Sequence, residues 1–572
     1  MSGIEDLSSE GLCSVLIGEE LKVKVLSICH EIADKSACHV AAACFYGSRV
    51  SGHARKSSDL DVLLILEPYQ EGILYHYKPL DDITVSVLAV DKKLFEGDVE
   101  QSQLGEFVVG RLLTPYEPYM AAGYLNTKEV QFKERSINES LQDLISEYPK
   151  IIRELRIAPE FFIFYKMGKR AQVYPPVKYS YQRMFEGTLR ELNVKRIMTG
   201  YLEAIKRLVE TGLIKYDGKF VMLNEDAVTS LRKEKLSIVK VAKNVERAAR
   251  SYIVHGYAGR TVNPIAVAQE FASKLLREVE KQGKMAEMDE PEKYLYLPST
   301  TGFQSLSDRV SIEKLPEKVE PLKGFQKIDV IKLGGAINFV YLIKLSREEE
   351  ERWVVVKKYK DWHGFKWFPL ALWTLGVQSF ALRGKSRMAN EYSALLHLRK
   401  LGFPVPEVIY INWGDRLLFT EYVDGRSLED LIREVFTHPE TVNTETEIIR
   451  SVGNALAEIH GKDMVLGDPK PENIVIDRTG RIYFLDLEQA VKHGGDPVWD
   501  LAECLYYTGR FTLSSQKAKE FTTVFLQGYL EKGAEEVVKR VTKPKYVRVF
   551  AVVTPPHVIH SITKACKDTV CA

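Results

Sequence analysis

In the run Gly467-Asp468-Pro469-Lys470-Pro471-Glu472-Asn473, a carboxylate, a cation two positions on and an amide five positions on share one short loop. These are three tools for one phosphoryl group: a carboxylate to orient an acceptor hydroxyl, an ammonium near the γ-phosphate, and an amide oxygen for a metal ion. Ile474-Val475-Ile476, the turn Asp477-Arg478-Thr479-Gly480 and Ile482-Tyr483-Phe484-Leu485 follow. That pattern predicts a β-hairpin, which returns the chain so that Asp486 stands beside Asn473 as a second metal ligand.

Other elements must bring a nucleotide to this loop. Residues 330–343 read as two strands around Gly334-Gly335, where glycine lets the backbone approach phosphates closely. Val354-Val355-Val356-Lys357 is a strand ending in a lysine suited to the α- and β-phosphates of ATP; alternation sends Lys358 to the opposite face. A helix predicted from about Ser386 to Lys400, stopped by Gly402 and Pro404, carries Glu391. A buried lysine needs a carboxylate to hold it charged and aimed, and Glu391 is the natural partner. Leu417-Leu418-Phe419-Thr420-Glu421-Tyr422-Val423 reads as a strand running into a hinge, with adenine contacts expected at the backbone of Glu421 and Val423.

Across about 315–525 these residues resemble the protein-kinase-like superfamily. Asp-x-Lys-Pro-Glu-Asn looks like eukaryotic-type serine/threonine kinases, with Pro469, Leu466 and Gly467 as departures. The small lobe, from Arg387-Met388-Ala389-Asn390-Glu391 to Tyr422-Val423-Asp424-Gly425, is similar to RIO-type kinases and to the small archaeal kinase of the KEOPS complex. Asp486-Leu487-Glu488 with Gly495-Asp496-Pro497-Val498-Trp499-Asp500 is similar to aminoglycoside phosphotransferases. The resemblance implies ATP and Mg²⁺ (or Mn²⁺) as cofactors, with Asp468 and Lys470 catalytic and Asn473 and Asp486 on metal. Asp486-Leu487-Glu488 lacks a glycine pivot, and the short span to Asp500 leaves no room for a long activation loop. Protein and small molecule both stay open as the acceptor.

A second phosphate chemistry is written near the amino terminus. Val40-Ala41-Ala42-Ala43-Cys44-Phe45-Tyr46 is a buried strand ended by Gly47-Ser48, and Asp59-Leu60-Asp61 opens another. Alternation puts Asp59 and Asp61 on one face, where both can share metal ions, and Gly47 with Ser48 suits a triphosphate. The set resembles the polymerase-β-type nucleotidyltransferase superfamily over about 25–125, which implies a bound NTP. That family also uses a third carboxylate on a neighbouring strand. The candidate strand, 83–90, offers Thr84 and Ser86 inside; Asp82 at its start is the best substitute. Nucleotidyl transfer and NTP binding without turnover both remain open.

The fold class expected is α+β and multidomain. Its parts are a nucleotidyltransferase mixed sheet with helices (1–125), a helical region (126–285), a linker (286–314), a two-lobed kinase-like fold (315–540) and a C-terminal extension (541–572). In the middle region a helix near 202–209 precedes an Asp-Gly hairpin at 213–223, the ending of a winged-helix module. Nearby, basic and aromatic residues interleave, among them Tyr165, Lys166, Lys169, Arg170, Tyr179 and Tyr181. That mix suits RNA held by backbone and stacking, and equally a solvated face over core aromatics. The 79 basic and 78 acidic residues give no global field to imply a polyanion. Seven scattered cysteines without a Cys-x-x-Cys pair, and no signal-peptide pattern, point to a reduced cytoplasmic compartment. The apolar run 367–377 is too short to span a membrane and reads as buried packing or a docking surface. Oligomeric state is not legible. The chain resembles archaeal fusions of these two domains; a rival reading is an RNA-binding or RNA-maturation factor that hydrolyses ATP as a switch, with the amino-terminal domain as a binding module.

Overall fold

The computed structural model describes residues 17–56, 58–228, 247, 250–251, 253–255, 258, 288–310, 314–319, 322–334, 338–360, 383–437 and 442–571. Gly335 and the run 367–377 lie outside these. The chain forms two compact units, 1–296 and 297–572.

In the first unit, β1 (His39–Tyr46), β2 (Leu60–Glu67), β3 (Ile73–Leu80), β4 (Ile83–Asp91) and β5 (Glu117–Met120) build a sheet ordered β3-β4-β2-β1-β5. Only β2 and β4 run parallel, so the sheet is mixed. Leu63, Leu64, Ile65 and Leu66 are fully buried, the near-continuous apolar run of a strand covered on both faces.

Helix Lys92–Gln101 carries Asp98, whose buried carboxylate accepts from the backbone N–H groups of Leu104 (2.9 Å), Glu106 (2.8 Å), Val108 (3.1 Å) and Val109 (3.0 Å). Four donors on one acid fold the chain into the 3₁₀ turn Val109–Leu113 that holds Arg111. Helices Ala122–Glu147, Glu160–Val173 and Leu189–Glu210 follow. As the sequence predicts, the last leads into an Asp-Gly hairpin, here β7 (Ile214–Asp217) and β8 (Phe220–Leu223) with Gly218 at φ +60°. A third strand that the sequence did not reveal, β6 (Arg156–Ile157), pairs with β8 on one side and with Leu295 and Tyr296 on the other.

The basic residues of this region are a correction to the sequence reading. Lys166 and Arg170 are buried rather than presented to solvent. Lys166 pairs with Glu106 (2.8 Å) and Glu139 (3.2 Å), and Arg170 donates to Tyr181 Oη (3.0 Å) and the Glu106 carbonyl (3.0 Å). Lys169 is paired with Asp143 at 3.5 Å. The first two are internal counter-charges for a fully buried glutamate, since an unpaired one would be costly.

Strand β9 (Leu295–Ser299) is hydrogen-bonded to β10 (Gly302–Ser305). In the second unit β11 (Gln326–Gly334), β12 (Phe339–Arg347), β13 (Glu350–Lys358), β14 (Val408–Asn412) and β15 (Leu417–Glu421) form an antiparallel sheet ordered β11-β12-β13-β15-β14. Helix Gly384–Lys400 packs near β14 and β15. The helix-rich remainder holds a small sheet of β16 (Gly425–Ser427), β17 (Ile474–Asp477) and β18 (Ile482–Phe484). Residues past 540 form helices Pro544–Phe550 and Pro556–Cys571, joined to Tyr506 by Thr554 (2.7 Å) and Thr563 (3.0 Å). No described helix is long and apolar enough to cross a membrane.

Helices Val442–Gly461 and Ser515–Leu530 approach through two glycines. A Cβ on Gly528 would lie 1.8 Å from the Arg450 carbonyl oxygen, and one on Gly453 2.2 Å from that of Phe525. Neither backbone can yield cheaply. Gly528→Ala is therefore expected to destabilise the second unit by about 1–3 kcal/mol, the usual cost of overpacking. Calorimetric unfolding checks this, and an unchanged midpoint counts against the contact.

Candidate functional site

In the second unit the hairpin β17–β18 forms as predicted, in register Ile474 to Phe484, and the Leu485 N–H donates to the Asn473 carbonyl (2.8 Å). That return brings Asp486 to the loop that holds Asp468 and Asn473. Gly467 takes φ +82°, and a Cβ there would sit 2.4 Å from the Gln489 carbonyl oxygen. The loop is anchored by buried Asp500, which accepts from the N–H groups of Leu466 (2.5 Å) and Gly467 (2.8 Å) and contacts His460 Nε2 (3.2 Å). Trp499 Nε1 donates to the Gly467 carbonyl (3.0 Å).

Asn473 uses its side-chain N–H groups on Asp468, at the carbonyl (2.9 Å) and at Oδ2 (3.3 Å). With the Nδ2 group so used, the amide oxygen is what Asn473 has left to offer a metal ion. With Asp486 it makes the hard oxygen set that Mg²⁺ prefers, so the residues fit that ion. Lys470 Nζ lies 3.1 Å from Asp468 Oδ2 and 3.2 Å from Glu472. Burial pushes the Asp468 carboxyl up to about 6 against the pull of Lys470, and the charge of Asp486 adds to the rise. Glu503, buried one helical turn beyond Asp500, hydrogen-bonds Asp468 and is itself raised, first by burial and then by Asp468.

Lys357, next to last in β13, faces inward and is buried, while Lys358 at the strand's end is exposed. Its ammonium meets Glu391 Oε2 (2.7 Å), Asp486, and Glu488 Oε2 (3.3 Å). Asp486 takes the left-handed conformation, φ +55°, tolerable for aspartate, in the turn that aims it at Lys357. Burial would raise Asp486, but Lys357 outweighs it and holds the carboxyl below its ordinary value. Glu391, which also accepts from Tyr359 Oη, is pushed up to about 7 by burial and its acidic neighbours, against Lys357. Gly334 ends β11, and Asn338 opens the return, donating to Glu488 Oε2 at 2.6 Å. At the hinge, the Glu421 N–H is on the Glu407 carbonyl (3.0 Å), and half-buried Val423 lies between β15 and β16. Sequence reasoning missed Glu488, Arg387, Asn338 and Glu503, none of which has a telling spacing.

In the first unit the register pairs Tyr46 with Asp61 and Asp61 with Ser86. Gly47 has φ +82°, and a Cβ there would fall 2.1 Å from Asp61 Oδ2. Only glycine allows this contact. Gly47, Ser48 and Asp61 line a cavity of about 510 Å³. Asp59 is exposed at the approach to β2, two positions before Asp61. Asp82 is exposed in the β3–β4 turn, whereas Ser86 is the residue of β4 beside Asp61. The loop after Ser48 is tied down by helix Leu189–Glu210, through Asn193 on the Ser51 carbonyl (2.9 Å) and Arg196 on that of Val50 (2.7 Å).

The middle region also supplies cavity walls that the sequence did not disclose: Arg170, Tyr174, Tyr179 and Tyr181 join Arg55, Arg111 and His53. His53 Nδ1 is buried without a hydrogen-bond partner. The Arg55 and Arg111 guanidinium groups and an orphan imidazole nitrogen, in a cavity that Asp61 lines, suit a metal-bound polyphosphate. Burial pushes Asp61 up to about 7, with the charge of Asp59 adding and those of Arg111 and Arg49 opposing.

The two sites define a chain that joins two transferase-type domains. Residues 25–112 match the family model of the nucleotidyltransferase domain, and 383–514 that of the ABC1 atypical kinase-like domain. ABC1 is not among the families the motifs suggested. Curated relatives include KEOPS complex subunit Bud32 of Pyrococcus abyssi, 26% identical over 102 residues, 18% of this chain and 44% of that protein. EKC/KEOPS complex subunit Tp53rkb of Mus musculus is 26% identical over 96 residues (17% and 39%). EKC/KEOPS complex subunit bud32 of Dictyostelium discoideum is 22% identical over 155 residues (27% and 61%). The chain thus spans between two-fifths and three-fifths of the length of these relatives.

With Asp61 titrating near 7, a divalent ion at this aspartate must displace a proton. Mn²⁺ affinity of the first unit should climb by up to about tenfold per pH unit below 7 and level off above it. Titration calorimetry of the full chain and of Asp61→Asn checks this; a flat wild-type profile contradicts the metal assignment.

Proposed function

We propose that the second unit is an ATP- and Mg²⁺-dependent phosphotransferase and that the first binds an NTP at the Gly47–Asp61 cavity. The observation that carries the first part is the convergence of Lys357, Asp468, Asn473 and Asp486, drawn from three separate segments, on one site. Lys357 would hold the α- and β-phosphates, and Asn473 and Asp486 the metal ion, which supplies charge neutralisation at the transferred group. Asp468 would orient the acceptor hydroxyl and take its proton, while Lys470 offsets charge on the γ-phosphate. Backbone at Glu421 and Val423 would meet adenine.

For the first unit, the serine beside Asp61 favours binding without rapid turnover. A third carboxylate on that strand would activate the attacking hydroxyl, and Ser86 cannot act as such a base at neutral pH. The likeness to KEOPS complex subunits supports a chain that works with partner proteins, and RNA maturation driven by ATP hydrolysis is the second reading.

Full-length protein incubated with [γ-³²P]ATP separates the outcomes: label in protein or in a small molecule supports transfer, and free phosphate alone supports the switch. Asp486→Ala should cut turnover by roughly a thousandfold or more, since several kcal/mol of metal-borne stabilisation is lost. Wild-type rates in a folded Asp486→Ala variant would refute the assignment.

Asp468→Asn should slow transfer while leaving ATP affinity intact by calorimetry. Because a base must be ionised, wild-type kcat should fall as pH drops through about 6, the value to which Asp468 is raised.

A further inference from the structure

Glu488 stands where kinases of the eukaryotic type have a small pivot residue, yet it is 95% buried and bonded on every side. Its Oε2 accepts from Asn338 Nδ2 (2.6 Å) and lies 3.3 Å from Lys357 Nζ, and its Oε1 accepts from Arg387 Nη1 at 3.0 Å. Arg387 is fully buried on helix Gly384–Lys400, one turn before Glu391. Asn390 of that helix donates to the carbonyls of Glu488 (2.9 Å) and Ala490 (2.7 Å). One residue therefore joins four pieces of the site: the return after the glycines, the β13 lysine, the helix of Glu391, and the turn of Asp486.

Charge counting makes the same point. Two cations, Lys357 and Arg387, face three carboxylates: Glu391, Asp486 and Glu488. Oxygens of the three acids lie within 4.8 Å of one another. An ion ligated by Glu488 would have to displace Arg387, Asn338 and Lys357 from it. If Asp486 were to ligate a metal ion, Lys357 would lose one partner, and Glu488 Oε2 at 3.3 Å is placed to keep the ammonium fixed.

We propose that Glu488 is a positioning residue for Lys357, holding the ammonium in place from the Asp486 turn and tying that position, through Arg387 and Asn338, to the helix and to the start of β12. The proposal takes Lys357 to be the phosphate-binding lysine of the reading above.

The first test needs no nucleotide. Acetic anhydride labelling of the full chain, read by mass spectrometry at Lys357, should rise about tenfold in Glu488→Gln, the order that one lost charge-assisted hydrogen bond carries. Surface lysines should be unchanged, and Glu488→Asp should restore part of the protection. Arg387→Lys, which keeps the charge, should give a smaller rise and serves if Glu488→Gln does not fold.

Affinity for ATP should fall in parallel, while the Mg²⁺ midpoint stays at the wild-type value. In a Lys357→Met background the Glu488 change should have no further effect on ATP affinity, which a merely structural role would not produce. Unchanged Lys357 labelling in folded Glu488→Gln overturns the proposal, as does an effect confined to the Mg²⁺ midpoint, which would make Glu488 a metal ligand. If the wild-type chain uses no ATP, the phosphotransferase reading falls, and the labelling result still decides what holds Lys357.

Discussion

A single buried ammonium organises the second unit. Lys357 is almost wholly removed from water, and a lysine so placed stays charged only if carboxylates surround it. Those acids come from a helix and from a turn more than a hundred residues downstream. The sheet, the helix Gly384–Lys400 and the loop of Asp486 are thereby constrained to one relative placement. Removing one partner of such a cluster leaves the remainder uncompensated, so the cluster enforces geometry more than it adds stability.

The first unit meets the same constraint in another way. Asp98 uses backbone donors to bend a loop, and Glu106 recruits Lys166, Arg135 and Arg170 from helices otherwise distant in sequence. The result is a wall on which Arg111 and Arg170 line the cavity beside Asp61. Here helices outside the matched nucleotidyltransferase region complete its pocket.

What could be read from the sequence was local. Asp468, Lys470 and Asn473 lie within six residues, and the hairpin that returns Asp486 follows from apolar alternation around an Asp-x-x-Gly turn. Gly47 and Asp61 were legible for the same reason, although the contact that forbids a Cβ at 47 depends on strand register. Lys166 and Arg170 misled, because a basic residue on an amphipathic helix looks the same whether water or a buried glutamate receives it. Glu106 gave no sign, being one acid among many until folding places it against four cations, Lys166, Arg135, Arg170 and Arg247. Glu488 was visible only as a missing glycine. Its partners Arg387 and Asn338 are 101 and 150 positions away, beyond any pattern of spacing.

The stretch between Asp486 and Asp500 is held at both ends: Val491 bridges to Val465 near its start, and Asp496 Oδ2 accepts from Arg540 Nη2 (3.0 Å) near its end. A segment pinned so closely cannot swing a modified side chain into and out of the cleft, because it has neither the length nor the slack. A phosphotransferase of the kind proposed would then lack the throttle that a longer segment provides, and control over it would fall to groups outside that stretch.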